Sequence, residues 1–375
     1  MEPLPPTQLS FAEIPGWARD DHVAALRCFA VSARRMETRP HSTKQLGTNA
    51  ESLRTAGLAA LRLLADAEPD RNAARRFFET GFVPVRAAGP DTQGFVTGYF
   101  EPVVEASGHR TDRFSWPLLR RPPDLVDLDR DPHDPVSARN LPEGFRFARD
   151  TGAGLVEYWD RKEIENGALA DRELELAWLE DPVDAFFIHI QGSACLKMRD
   201  GSSRRISYAG KSGHPYTSVG KLLADEGILP RETITMQVLR QWLIDNRSEG
   251  RELMQRNRSY IFFAETSADK MADGNASGPV AAAGVPLTPG RSLAVDHRLH
   301  TFSTPVWLSL QERLPGQDHD FSRLMIAQDT GSAIVGPARG DIFTGSGYAA
   351  GELAGVIRHR TDFIYLVPRT NGLER

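Results

Sequence analysis

Leu324-Met325-Ile326-Ala327-Gln328-Asp329 and Gly340-Asp341-Ile342-Phe343-Thr344-Gly345 carry the reading that decides the fold. Each is a short run of β-formers with an aspartate at its edge and a glycine close by. Similar β-like runs occupy Ser292 to Val295, Pro305 to Leu308, Arg323 to Gln328 and Phe363 to Val367, and Asp296 follows Leu293-Ala294-Val295. Glycines punctuate them at Gly331, Gly336, Gly340, Gly345 and Gly347. Short strands, tight glycine turns and few helices predict a small closed β-barrel at the C-terminal end.

Upstream the periodicity changes. Asp21 to Met36 carries Val23, Leu26 and Phe29 at helical spacing, and Glu51 to Ala65 repeats Leu53, Leu58, Leu61 and Leu64. Pro69 and Asp70 open a third helix reaching Phe78. Gly94 to Phe100 reads as a strand, Pro117 to Asp150 as irregular connections on a β scaffold, and Asp184 to Ile190 as an apolar strand. Ala194 to Met198 and Arg204 to Tyr208 flank Asp200-Gly201-Ser202, a hairpin signal. Thr217 to Ala224 and Glu232 to Asn246 return to helix, the latter with Val238, Leu239 and Trp242 on one face. Thr266 to Ser277 is small and polar and reads as a loop or linker.

A chain of 375 residues fits about two domains of ~100–200 residues. Hydrophobic residues at 40%, charged residues at 25% and a net charge of −5 describe ordinary globular material with no basic tract, which argues against a nucleic-acid partner. Cys28 and Cys195 provide no metal-ligand spacing and read as two small buried apolar residues. Met1 to Pro6 has neither a basic nor an apolar signal-peptide region, and no apolar run reaches the ~18–20 residues of a membrane-spanning helix.

Spacing alone leaves two readings of Asp296, Asp329 and Asp341 open. They are turn residues capping local N–H groups, or carboxylates that converge on a barrel rim. The motifs around them are more specific. Gly284 to Asp296, Ala327 to Ile334 and Gly340 to Gly345 resemble the three aspartate motifs of the 3D domain. Thr97-Gly98-Tyr99-Phe100-Glu101-Pro102, His189 to Ala194 and Asn257 to Phe263 resemble motifs of the membrane-bound lytic murein transglycosylase A (MltA) family. The matches run in family order from about Phe11 to Val367.

The resemblance implies a mainly β fold with N-terminal helices. A double-psi β-barrel domain would be joined to an inserted second β-domain, with a glycan groove between them. The implied boundaries are 1–103 for the helices and first part of the barrel, 104–268 for the insert and 269–375 for the 3D region that completes the barrel. It also implies a peptidoglycan lytic exotransglycosylase, a carbon–oxygen lyase that forms 1,6-anhydromuropeptides, with Asp341 as the single catalytic acid. A glycosidic bond needs a proton on its leaving oxygen, and hydrolases pair that acid with a second carboxylate. Here the C6 hydroxyl of N-acetylmuramic acid would attack its own C1, so one carboxyl suffices as acid and then base. Such an acid must be protonated near neutral pH, well above the usual aspartate value of about 3.9. Ile342 and Phe343 are candidate apolar neighbours, and Asp329 or Asp296 a candidate like charge.

Candidate substrate contacts are Thr97, Tyr99, Glu101, Gln191, Ser193, Tyr208, Asp296 and Asp329, with Tyr99 able to stack on a sugar or simply pack in its strand. Gly192 would allow close backbone approach, and Lys211 has two readings, a contact for lactyl or peptide-stem carboxylates and, ahead of it, a solvated surface lysine. Neither Asp296-His297-His300 nor Asp318-His319-Asp320 has metal-site spacing, so no metal and no cofactor is expected. Glycan strands are the expected partner, with other cell-wall enzymes as further partners and a monomer as the expected state. The implied location is the periplasm, with association to the outer membrane through relatives' lipid anchors, although Cys28 sits in a helical pattern and not in a lipobox. The rival readings are an inverting glycoside hydrolase and a non-catalytic glycan-binding protein.

Overall fold

The computed structural model describes residues 7–46, 48–66, 69–87, 93–129, 131, 141–266, 278–310, 312–315, 320–331 and 333–369. From residue 267 on, the expected linker lies outside these residues, as do Met1 to Pro6 and the Asp318-His319 pair. The chain divides into two compact units, Met1–Phe100 with Asp269–Arg375, and Glu101–Ala268.

The first unit is built on six strands, β1 (Gly94–Glu101), β2 (Ser292–Val295), β3 (Pro305–Ser309), β4 (Ser322–Asp329), β5 (Arg339–Ser346) and β6 (Arg358–Pro368). They pair in the order β6-β3-β4-β2-β5-β1, and β1 pairs again with β6, which closes the ring into a barrel. Closure removes free sheet edges. The expected C-terminal barrel is therefore present, and the strand that closes it comes from Gly94–Glu101, far upstream. Strands Phe82–Arg86 and Thr7–Gln8 extend the sheet beyond β6.

Strand β4 is apolar on both faces, for a visible reason. Met325 and Ala327 point into the barrel with Val96, Leu293, Val295 and Ile342. Leu324 and Ile326, which alternate with them in sequence, face outward against Trp17, Leu26, Phe29 and Phe78. The period of two thus appears in sequence as an unbroken apolar run. The outer layer comes from α1 (His22–Thr38), α2 (Ala50–Asp66) and α3 (Arg71–Gly81). Asp21 caps α1 through the Ala24 N–H at 3.1 Å, and Asp70 caps α3 through the Ala73 N–H at 2.7 Å. Phe29 contacts the rings of Phe77, Phe78 and Phe82. Phe29→Ala would cost about 3–5 kcal/mol through the cavity it leaves.

The second unit holds a four-stranded sheet in the order 261–265, 203–211, 193–198, 103–106, with two smaller sheets beside it. The expected hairpin is present, Ser193–Met198 pairing antiparallel with Ser203–Lys211. The expected strand over Asp184 to Ile190 is corrected to a helix, Pro182–Gln191. Asp181 caps it, accepting from the Val183 N–H at 2.8 Å, and Pro182 opens it. Gly192 ends it at φ +77, its N–H reaching the Ile188 carbonyl at 2.8 Å. A helix buried nearly all round carries no stripe, so an apolar run misreads as a strand.

The helix expected from Glu232 begins at Met236, because Thr235 caps it through the Val238 N–H, and Val238 faces solvent while Leu239 is buried. The stretch from Pro117 to Asp150 contains strands Trp116–Leu119, Leu125–Asp127 and Phe147–Asp150. Cys28 is buried as expected, but Cys195 is partly exposed, and both are free thiols. Helices Arg247–Gln255 and Tyr348–Val356 were not anticipated. Among the described residues no helix is long and apolar enough to cross a membrane.

Candidate active site

The barrel register brings two of the three aspartates together. Ala294 of β2 stands opposite Asp341 of β5 on one side and Asp329 of β4 on the other. Two strand spacings separate the aspartates' backbones, about 10 Å. Asp329 reaches that position through an irregularity. Leu293 pairs with Ala327, but Ala294 pairs with Asp329, so Gln328 is the extra residue of a bulge. Bulges re-aim side chains in this way. Gln328 turns to α1, where its amide donates to the Ser32 hydroxyl at 2.8 Å.

Asp341 is anchored by one oxygen. Its Oδ1 accepts from the Thr97 hydroxyl and from the Arg339 guanidinium. Arg339 also donates to the Thr97 hydroxyl oxygen at 2.9 Å and lies 5.4 Å from the Phe95 ring centre. Among the described residues, Asp341 Oδ2 accepts no hydrogen bond, and the side chain is 19% exposed. Arg339 is the residue against Asp341 that sequence reasoning missed. It was findable, because residues 339 and 341 of one strand share a face.

Asp329 is held on both oxygens, by the Ala282 N–H at 3.1 Å and the Tyr99 hydroxyl at 3.0 Å. Burial pushes its carboxyl above the ordinary range and the Asp341 charge adds to this, while the N–H groups of Ala282 and Thr330 and the Tyr99 hydroxyl pull downward. Of the two like charges weighed from sequence, Asp329 is the one electrostatically coupled to Asp341. Burial, followed by the charge of Asp329, raises the Tyr99 phenol well above its usual value. The Tyr99 ring packs on Phe343 with centres 5.3 Å apart. Between Thr97 and Tyr99, Gly98 is required because a Cβ there would come within 2.7 Å of the Ala354 backbone. The helix Tyr348–Val356 thus seats closely against β1 at Gly98.

Asp296 is a different case. It is 2% exposed, and both oxygens are fully engaged. Oδ1 accepts from the Arg298 N–H at 3.1 Å and Nε at 2.9 Å, and Oδ2 from Arg298 at 2.8 Å and the Gly336 N–H at 3.0 Å. Burial alone would raise its pKa, but the Arg298 and Gly336 donors outweigh it and hold the carboxyl at about 2.

The other expected contacts lie in the second unit. Glu101 has no exposed surface and its carboxylate meets the Arg205 guanidinium at 3.1 and 3.2 Å. Ser193 is buried at the head of its strand, Gln191 ends the helix before it, and Tyr208 is 48% exposed beside a strand irregularity. Gly192 is explained by its left-handed helix-ending conformation, and nothing lies within 4 Å of where its Cβ would be. Lys211 is half-buried, and burial followed by the Arg146 charge lowers its pKa. His189 is buried and neutral, with Nδ1 3.0 Å from the buried Arg161 guanidinium, which donates to it.

No group of three or more histidine, cysteine, aspartate or glutamate side chains among the described residues could hold a metal ion. His297 Nδ1 lies 3.2 Å from the Thr330 hydroxyl and His300 Nε2 2.8 Å from the Pro337 carbonyl.

Comparison with known proteins places this geometry in context. A family model described as the MltA specific insert domain matches residues 95–264, and one described as the 3D domain matches residues 291–367. Membrane-bound lytic murein transglycosylase A of Escherichia coli K12 is 33% identical over 282 residues, which cover 72% of this chain and 65% of that protein. The crystal structure of a membrane-bound lytic murein transglycosylase from Agrobacterium tumefaciens is 42% identical, with 97% of this chain and 98% of that chain covered and a TM-score of 0.87. E. coli MltA with bound chitohexaose is 28% identical, with 91% and 89% covered and a TM-score of 0.64.

Proposed function

The chain belongs to the membrane-bound lytic murein transglycosylase A family, and from that premise we propose that it cleaves the β-1,4 bond between N-acetylmuramic acid and N-acetylglucosamine with Asp341 as sole acid and base. The observation that carries this reading is the asymmetry of Asp341, with Oδ1 anchored by Thr97 and Arg339 and Oδ2 accepting nothing among the described residues. Oδ2 delivers a proton to the glycosidic oxygen as the bond to C1 breaks. The same oxygen then takes the proton of the C6 hydroxyl as it closes the 1,6-anhydro ring on C1. No water is consumed and no protein nucleophile is needed.

Thr97 and Arg339 set the angle of the carboxyl. Tyr99 holds Asp329, and Asp329 holds the loop at Ala282. The rival hydrolase needs a second carboxylate to activate water. Both oxygens of Asp296 and of Asp329 already accept hydrogen bonds, which counts against that role. In the second unit we assign sugar contacts to Tyr208, whose exposed ring suits stacking on a pyranose face, and to Gln191 and Ser193. Glu101 is assigned to holding Arg205. The chitohexaose complex of the E. coli relative supports a β-1,4-linked amino-sugar strand as ligand. We assign the working protein to the periplasm, where such a substrate lies, as a monomer with other cell-wall enzymes as further partners; association with the outer membrane is in keeping with its membrane-bound relatives.

Mass spectrometry of muropeptides released from sacculi tests the reaction. Products one water lighter and without a reducing end are expected. Reducing-end products would establish the hydrolase instead, and binding to sacculi with no release would establish the non-catalytic reading.

A further inference from the structure

We propose that Arg358 and Arg360, with Phe95, form a carboxylate-binding subsite beside Asp341 that takes an anionic arm of the glycan substrate. This rests on the glycan-cleaving reading above.

The argument starts from register. In the antiparallel pairing of β1 and β6, Arg358 stands opposite Thr97 and Arg360 opposite Phe95. Directly opposed residues share a face, with Cβ atoms about 5 Å apart. Val96, between Phe95 and Thr97, points into the barrel core, so Phe95, Thr97, Arg358 and Arg360 all face outward. Thr97 is the residue whose hydroxyl holds Asp341. Arg339, the other holder of Asp341, lies on the Phe95 ring. Three guanidiniums therefore gather on the face that carries the acid, in a chain whose net charge is −5.

Two of these guanidiniums are uncommitted. Arg358 and Arg360 are exposed and make no side-chain hydrogen bond or ion pair among the described residues. The two acids on the same wall have other partners. Glu312 meets His359 Nε2 at 3.1 Å, and Asp362 lies 3.9 Å from Arg86. A cavity of about 400 Å³ is lined by Gln93, Phe95, Arg358 and Arg360 together with those two acids. Phe95, 36% exposed, gives the cavity an aromatic wall for an apolar sugar or peptide face.

Guanidiniums select for carboxylates, which they grip through paired N–H donors. Peptidoglycan differs from neutral chitin-type strands by such groups, carried either on the lactyl ether of the muramic residue or on the peptide attached to it. The subsite thus distinguishes an acidic glycan from a neutral one at a place contiguous with the acid.

Binding is measured by calorimetry in the Asp341→Asn background, so that turnover does not interfere. Three soluble ligands are compared: peptide-bearing murein oligomers, peptide-stripped oligomers with free lactyl carboxylates, and neutral chitohexaose. Arg358→Gln with Arg360→Gln is expected to weaken binding of a carboxylate-bearing ligand about fivefold, the size of one or two exposed charge pairs. Chitohexaose affinity and the thermal midpoint should not move, and Arg358→Lys with Arg360→Lys should restore part of the loss. A loss confined to peptide-bearing oligomers assigns the stem carboxylates, a loss confined to stripped ones assigns the lactyl group, and a loss on both assigns a general carboxylate site. Equal losses on all three ligands, no loss on any, or no binding of any overturns the proposal. Since the readout is binding, failure of the wild type to release anhydro products would refute the cleavage reading separately.

Discussion

The turn after β2 and the start of β5 each place an aspartate two residues from an arginine, Asp296 with Arg298 and Asp341 with Arg339. In the first, all four hydrogen bonds close on the turn itself and on Gly336, and the carboxyl is 2% exposed. In the second, the bonds reach across to another strand through Thr97 and stop at one oxygen. An Asp-x-Arg and an Arg-x-Asp spacing thus give one carboxylate engaged on both oxygens and one with an oxygen left open, which is the proposed acid. The difference lies in how many acceptor positions the fold leaves open, which local sequence does not encode.

Exchanging the carboxyl for an amide at each place separates the two roles. Asp341→Asn keeps the size of the side chain and should lower the rate of anhydromuropeptide release by about 10³-fold, within the range of general acid–base catalysis, with an unchanged circular dichroism spectrum. Retention of most of the rate would end the assignment.

Acid stability should show the buried His300 and the half-buried His41 first. Burial lowers His300 and His41 to about 4, with the Arg35 charge helping at His41. Their unfolded value is about 6.5, so their contribution is complete above that pH and is lost as pH falls toward 4. A loss of order 1–3 kcal/mol in urea unfolding between those limits is expected, and a flat profile would contradict it. The Asp296 contribution lies lower. Its folded value of about 2 is below the ordinary 3.9, so its stabilisation is present above about 4 and lost as pH falls toward 2.

Asp296→Asn should therefore cost about 1–2 kcal/mol at neutral pH while leaving turnover below the melting range within about threefold. A large loss of turnover at full stability would move Asp296 into the chemistry. Tyr99→Phe removes one donor from Asp329 and should cost about 1 kcal/mol of thermal stability, with turnover changed only a few-fold.

Much of this was legible in the sequence because it is periodic or punctuated. The run Leu324 to Gln328, the caps Asp21 and Asp70, and the Asp200-Gly201 turn each declare their element locally. The helix Pro182–Gln191 did not, since its apolar residues form no stripe, although Asp181-Pro182 and Gly192 marked its ends. The meeting of Thr97 with Asp341 crosses 244 positions, and no spacing rule spans that distance. Family motifs pointed to it, and the pairing of β5 with β1 supplies its physical basis. The bulge at Gln328, which brings Asp329 to the same face, is likewise a property of pairing and not of composition.

The claim that one carboxyl performs both proton transfers is tested most directly by turnover of Asp329→Asn beside Asp341→Asn on the same sacculi. The account predicts that Asp329→Asn keeps at least about a tenth of the wild-type rate while Asp341→Asn falls about 10³-fold. Equal collapse of both variants, with both folded, would show a two-carboxylate mechanism and contradict it.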